Sequence, residues 1–146
     1  MDEFDSLKLE NQLCFAVYTT AHAFTAAYKP LLEPLGLTYS QYLVMIVLWE
    51  EESLMVGEIA SRLKLDSATL TPVLKRMEKA GLVYRRRDTG DERQVRISLT
   101  SKGVALRENA LKARQSIVCT LGDSEERIQS VKLALDEVDR LLRGPV

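Results

Sequence analysis

Hydrophobic positions divide the chain into helical stretches interrupted by one short segment of alternating period. Leu9, Leu13, Ala16, Thr20, Ala23 and Ala27 recur at helical spacing and predict a first helix over about residues 7–28, stopped by Pro30 and Pro34. Thr38, answered three residues later by Gln41, has the form of a capping box. The following stretch, residues 42–49, is apolar nearly all round and predicts a buried helix, with residues 50–53 as its solvated exit. A short helix over 56–63, a turn at 64–66 and a helix over 67–80 come next, the last ended by Gly81 in the position a left-handed cap wants. Leu70, Leu74 and Met77 form the apolar face of that helix, with Val73 beside it. Pro72, close to the helix start, costs about one backbone hydrogen bond and a slight bend.

After Gly81 the period changes from 3.6 to 2. Val95, Ile97 and Leu99 alternate with Arg96 and Ser98, residues 82–87 supply a partner strand, and residues 88–91 (Asp-Thr-Gly-Asp) carry hairpin turn chemistry, so a β-wing is expected. Thr100 then caps a long helix to about Leu121, Gly122 ends it, and Asp123 with Glu126 opens a last helix. In that helix Ile128, Val131, Leu135, Val138 and Leu142 form an a/d seam of the kind helices use to pair. The expected fold is mainly α with a small β-wing, a winged helix-turn-helix. It is one domain over 1–146, with about 1–34 and 100–146 as a helical dimerisation region and about 38–99 as the DNA-binding part.

Charge sharpens this picture. The chain is nearly neutral at −1, yet from Arg62 to Arg96 there are ten Lys/Arg against five Asp/Glu, which leaves the remainder acidic. Cations concentrated on a helix, turn, helix and hairpin form an electrostatic footprint for a polyanion. On such a scaffold the second helix enters the major groove and the hairpin crosses the backbone toward the minor groove. Ser67, Thr69, Thr71 and Arg76 are expected nearest base edges. Lys75, Lys79, Arg85, Arg86 and Arg87 would neutralise phosphates, and Arg93 on the wing would reach the minor groove. The partner is double-stranded DNA, with a pseudo-palindromic operator for a dimer.

Several other classes are not expected. A Gly-rich phosphate loop, a Ser/His/Asp arrangement and a Cys/His cluster are all missing from the sequence, so no cofactor, metal site or enzyme activity is expected. The acidic start and the short apolar runs predict a cytoplasmic protein without a membrane partner. Two cysteines, Cys14 and Cys119, make no disulfide framework and begin as thiols. His22 and Trp49 are given no functional role, and Trp49 is read as core.

The segment 91–103, D-E-R-Q-V-R-I-S-L-T-S-K-G, resembles the wing and following helix start of MarR-type regulators (D-x-R and L-T-x-x-G), and the likeness extends over nearly the whole chain. It implies a dimeric repressor whose first and last helices make the dimer, with Asp91 orienting Arg93. A carboxylate two residues away on a hairpin can hold a guanidinium in place.

By the residues alone, Cys14 in L-C-F-A reads as simple core packing. Together with Tyr28 and the segment L-T-Y-S-Q-Y around Tyr39, however, it resembles the organic hydroperoxide sensor branch of that family, the OhrR type. That resemblance implies that Cys14 is the peroxide-sensing thiol and that Tyr28 and Tyr39 hydrogen-bond its thiolate, the form that attacks a peroxide O–O bond. Tyr28 lies fourteen residues beyond Cys14, about four helical turns, too far to touch it on one helix, although an antiparallel partner helix could deliver it. Cys119 fits the two-cysteine members, in which a late thiol of the other subunit resolves the sulfenic acid. Two alternatives stand beside this: a repressor released by a small aromatic ligand with Cys14 as lining, and a thiol peroxidase whose basic face is incidental.

Overall fold

The computed structural model describes residues 2–145. Two short 3-10 turns, Glu3–Leu7 and Leu9–Asn11, precede α1 (Leu13–Leu32). The first helix therefore starts later than its apolar period suggests, because the Asp2/Asp5 capping box closes a separate turn and Gln12 is extended. It also runs through Pro30. One missing N–H near the end of a helix does not stop it, and Glu33 still donates to the Lys29 carbonyl. The α-helix ends at Leu32; a 3-10 turn containing Pro34, Glu33–Leu35, follows, and Gly36, at φ 71°, closes it, after which the Leu37 N–H reaches back to the Leu32 carbonyl at 3.2 Å.

Thr38 and Gln41 form the capping box of α2 (Tyr39–Glu50), whose Val44, Met45 and Leu48 are buried. The stretch after it is not simply a solvated exit: Ser53–Met55 is a strand, β1. Then come α3 (Val56–Leu63), α4 (Ser67–Lys79), β2 (Val83–Arg87) and β3 (Val95–Leu99). The sheet is antiparallel with order β1-β3-β2, and Leu54 opposite Ile97 lays its buried face on the helices. Leu70, Leu74 and Met77 of α4 are fully buried, as the apolar period predicts.

The long helix after the wing is two pieces, α5 (Ser101–Ala105) and α6 (Arg107–Thr120), broken at Leu106. Its start is fixed by Thr100, whose hydroxyl accepts from the Gly103 N–H and donates to the Gly81 carbonyl at 2.6 Å. Trp49 is more than core filling, since its indole N–H donates to the Gly103 carbonyl at 2.9 Å. The last helix, α7 (Glu125–Arg143), is capped by Ser124 rather than Asp123, which adopts φ 57° in the turn.

Contacts divide the chain into two compact units, Met1–Ala110 and Leu111–Val146, with the boundary inside α6. Within the second, Arg114 grips Glu125 with both guanidinium nitrogens, at 2.7 and 3.1 Å. Along the a/d seam of α7, Val131, Leu135 and Leu142 are exposed, as are Leu133 and Leu141 beside it, while Ile128 and Val138 are half-buried. No single helix among the described residues is long and apolar enough to cross a membrane.

Candidate functional site

Asp66 is the N-cap of α4, a role its place in the turn concealed. Its carboxylate accepts the Thr69 N–H at 2.7 Å and the Thr69 hydroxyl at 3.0 Å. These two bonds, the backbone one first, hold the Asp66 carboxyl below the usual carboxylate range. Thr71 donates its hydroxyl to the Ser67 carbonyl at 2.7 Å. Both threonines thus spend their donor on their own helix. What remains to face outward is a methyl group and acceptor lone pairs. Ser67, Lys75, Arg76 and Lys79 are exposed along the same helix.

The hairpin cations separate into two kinds. Arg85, grouped by sequence with the phosphate-neutralising residues, is turned inward: its side chain is 20% exposed and its Nη1 lies 3.5 Å from Glu78 of α4. Alternation along β2 explains this, since Val83 and Arg85 share the packed face while Tyr84 and Arg86 share the open one. Arg86 lies over the Tyr84 ring at 5.2 Å, and Arg87 donates to the Glu92 carbonyl at 2.9 Å. At the tip, Asp91 Oδ1 accepts both the Arg93 N–H at 3.1 Å and Arg93 Nε at 3.2 Å, and the Arg93 side chain is 91% exposed. Asp88, Arg96 and Ser53 also meet here, a cluster the alternating pattern gave no reason to single out.

The thiol residues are only partly assembled in one chain. Tyr28 is buried and Tyr39 half-buried, and their ring centroids are 5.5 Å apart; Tyr42 joins them, 5.0 Å from Tyr28. Burial, and then the neighbouring Tyr28 phenol, raise Tyr39 above the ordinary phenol value. Cys14 is exposed in the first turn of α1, roughly 20 Å along that helix from Tyr28. Cys119 is exposed near the end of α6, in the other compact unit. Both are free thiols. Among the described residues no group of His, Cys, Asp or Glu is placed to hold a metal ion.

A short helix, a turn and a helix with one exposed polar face, followed by a basic two-stranded hairpin whose second strand also pairs with β1, define a winged helix-turn-helix, the fold of a DNA-binding transcriptional regulator. Residues 26–110 match the family model described as transcriptional regulator SarA/Rot. The organic hydroperoxide resistance transcriptional regulator of Bacillus subtilis (strain 168) is 48% identical over 134 residues, 92% of this chain and 91% of that protein. The HTH-type transcriptional regulator TtmR of Methylorubrum extorquens is 62% identical over 103 residues, 70% of this chain and 53% of its own length. Among solved structures, reduced AbfR bound to DNA superposes with a TM-score of 0.85 at 36% identity, covering 98% of this chain and all of that one. AbfR is also solved overoxidized and bound to DNA (TM-score 0.77) and with its disulfide formed (0.68). The chain belongs to the MarR/SarA family of transcriptional regulators.

Proposed function

We propose that this chain is a homodimeric repressor that binds a pseudo-palindromic operator in double-stranded DNA and releases it when an organic hydroperoxide oxidises Cys14. The observation that supports it best is the packing of Tyr28 against Tyr39, which gathers both phenols named by the sequence resemblance into one cluster while leaving Cys14 uncovered for a second copy. A partner α1 running antiparallel brings its Cys14 to those phenols, and the exposed Leu13, Val17 and Tyr18 of α1, with the exposed seam residues of α7, supply the apolar surface for the dimer. Residues of about 1–34 and 100–146 then serve dimerisation and about 38–99 serve DNA binding. A cytoplasmic location goes with an operator as target.

The Cys14 thiolate attacks the distal peroxide oxygen; the O–O bond breaks, the alkoxide leaves and takes a proton as the alcohol, and Cys14 becomes a sulfenic acid. The thiol of Cys119 from the other subunit displaces water from it and forms a disulfide. Linking the subunits shifts the helices that carry the two α4 elements away from the spacing of about 34–36 Å that adjacent half-sites demand. Because overoxidized AbfR is described as bound to DNA and disulfide-formed AbfR is a separate state, release is assigned to the disulfide and not to oxidation alone.

On the DNA side, Arg76 and Ser67 face the bases, Thr71 offers its methyl and lone pairs, and Lys75, Lys79, Arg86 and Arg87 hold phosphates. Arg86→Ala is expected to weaken binding to all duplexes alike and to lower the salt dependence by about one counterion for each copy. Thr71→Ala is expected to change preference among sequences instead. Titrations of both variants at several salt concentrations check the division; a change of preference in Arg86→Ala with non-specific affinity intact contradicts it.

On the thiol side, oxidised protein is expected to run on a non-reducing gel as a dithiothreitol-sensitive dimer. In mixed dimers with Cys14→Ser in one subunit and Cys119→Ser in the other, peptide mapping should find the remaining Cys14 joined to the remaining Cys119 across the subunits. Its absence there removes the inter-subunit step.

A further inference from the structure

The wing tip holds three carboxylates, Asp88, Asp91 and Glu92, beside the cation meant for a polyanion, a placement that plain electrostatics disfavours. The hydrogen bonds explain it. Asp88 Oδ2 accepts the Gly90 and Asp91 N–H groups, each at 3.1 Å, which folds the turn over its own carboxylate. Asp88 Oδ1 accepts Arg96 Nε at 3.2 Å, and Arg96 Nη1 donates to Ser53 Oγ of β1 at 3.1 Å. Asp91, fixed through its N–H, turns its own Oδ1 to Arg93. A continuous chain of polar contacts therefore runs from the edge strand β1 through Arg96, Asp88 and Asp91 to Arg93. From Asp88 outward exposure rises, from 16% for its side chain through 33% for Asp91 to 91% for Arg93, while Arg96 is 41% exposed. Arg96 stands opposite Arg86 across β2 and β3, where like charges repel, and its ion pair with Asp88 relieves that repulsion.

We infer that Asp88, gripped by Arg96, is a positioning residue for DNA binding: it sets the turn that aims Arg93, and Arg96 acts as a strut to β1 and not as a phosphate ligand. The inference rests on the proposal that the wing meets DNA. Its test exploits a conflict of sign. Asp88→Asn removes a negative charge beside DNA, so long-range electrostatics alone tightens binding, whereas loss of the Arg96 grip that fixes the turn weakens it.

The experiment measures binding of reduced protein to the tightest duplex recovered by in vitro selection with wild type, in a double-mutant cycle. Asp88→Asn and Arg93→Ala are each expected to weaken binding by roughly tenfold or more, and the double variant to bind as weakly as Arg93→Ala alone. Arg96→Lys keeps the charge but loses the two-sided grip. It is expected to weaken binding several-fold with the salt slope unchanged, which answers for Asp88→Asn should that variant not fold. Asp88→Asn binding as tightly as wild type or tighter, losses that multiply in the double variant, or Arg96→Lys binding like wild type overturns the positioning role while leaving the wing on DNA. An Arg93→Ala variant that binds like wild type overturns both.

Discussion

The Cys14→Ser protein is expected to stay on its operator through an organic hydroperoxide challenge that releases the wild type. A serine hydroxyl is not ionised at neutral pH and does not attack the O–O bond, so neither the sulfenic acid nor the disulfide forms. Reduced wild type and the variant should bind alike, because Cys14 is exposed on α1, remote in sequence from α4 and the wing. After stoichiometric cumene hydroperoxide the wild type should lose about 100-fold in affinity, the upper range of an ordinary coupling between two sites. The variant should lose none. Release of Cys14→Ser at the wild-type rate would reduce Cys14 to packing and favour a small ligand as the effector.

Gly103→Ala is expected to be among the most destabilising single methyl additions in the protein. A Cβ at this position would lie 2.4 Å from the Leu82 carbonyl oxygen and 3.1 Å from Leu99 Cδ2. The carbonyl cannot retreat easily, because it accepts the Thr100 N–H at 3.1 Å, and the Thr100 hydroxyl, which donates to the neighbouring Gly81 carbonyl, also lies 3.1 Å from it. On the other side of Gly103 the Trp49 indole is bonded to its carbonyl. Forcing the methyl in separates α5 from the start of β2 at a cost of about 1–3 kcal/mol or more. In a chain of this size that lowers the melting midpoint by roughly 3–10 °C. Thermal unfolding followed by circular dichroism checks this, and an unchanged midpoint would mean that the close approach is not real.

That glycine also illustrates what could and could not be read from sequence. The L-T-x-x-G pattern pointed to a helix start, and Thr100 does cap one, but nothing in a pattern reports a carbonyl 2.4 Å from an absent methyl. Periodicity located α3, α4 and both wing strands because each buries one face against the next: Leu70, Leu74 and Met77 in one direction, Ile97 in the other. It missed β1, three residues whose only signal is pairing with β3, a partner more than forty residues away. It overran at Pro30, since proline rules describe helix interiors and this one is followed by only two further helical residues.

Charge counting had a similar reach. It found the basic window, but gave Arg85, Arg86 and Arg87 one role, although the period of two turns Arg85 toward Glu78 and Arg86 to solvent. Hydroxyl counting likewise placed Thr69 and Thr71 at base edges, whereas the Asp66 cap and the Ser67 carbonyl take their protons. Tyr28 and Tyr39 were named with Cys14 by resemblance. The fold accounts for the first two as neighbours because Gly36 turns the chain so that the end of α1 meets the start of α2, and the thiol of Cys14 is exposed at the other end of α1.

The most direct test of the central claim is a single sequential titration of the wild-type protein on its selected operator. Binding is measured by fluorescence anisotropy in the reduced state, after one equivalent of cumene hydroperoxide per subunit, and again after excess dithiothreitol. Tight binding is expected first, then release with the appearance of a cross-linked dimer, then full recovery of binding with loss of the cross-link. Undiminished binding in the presence of peroxide, with Cys14 shown by mass spectrometry to be joined to Cys119, would contradict that claim.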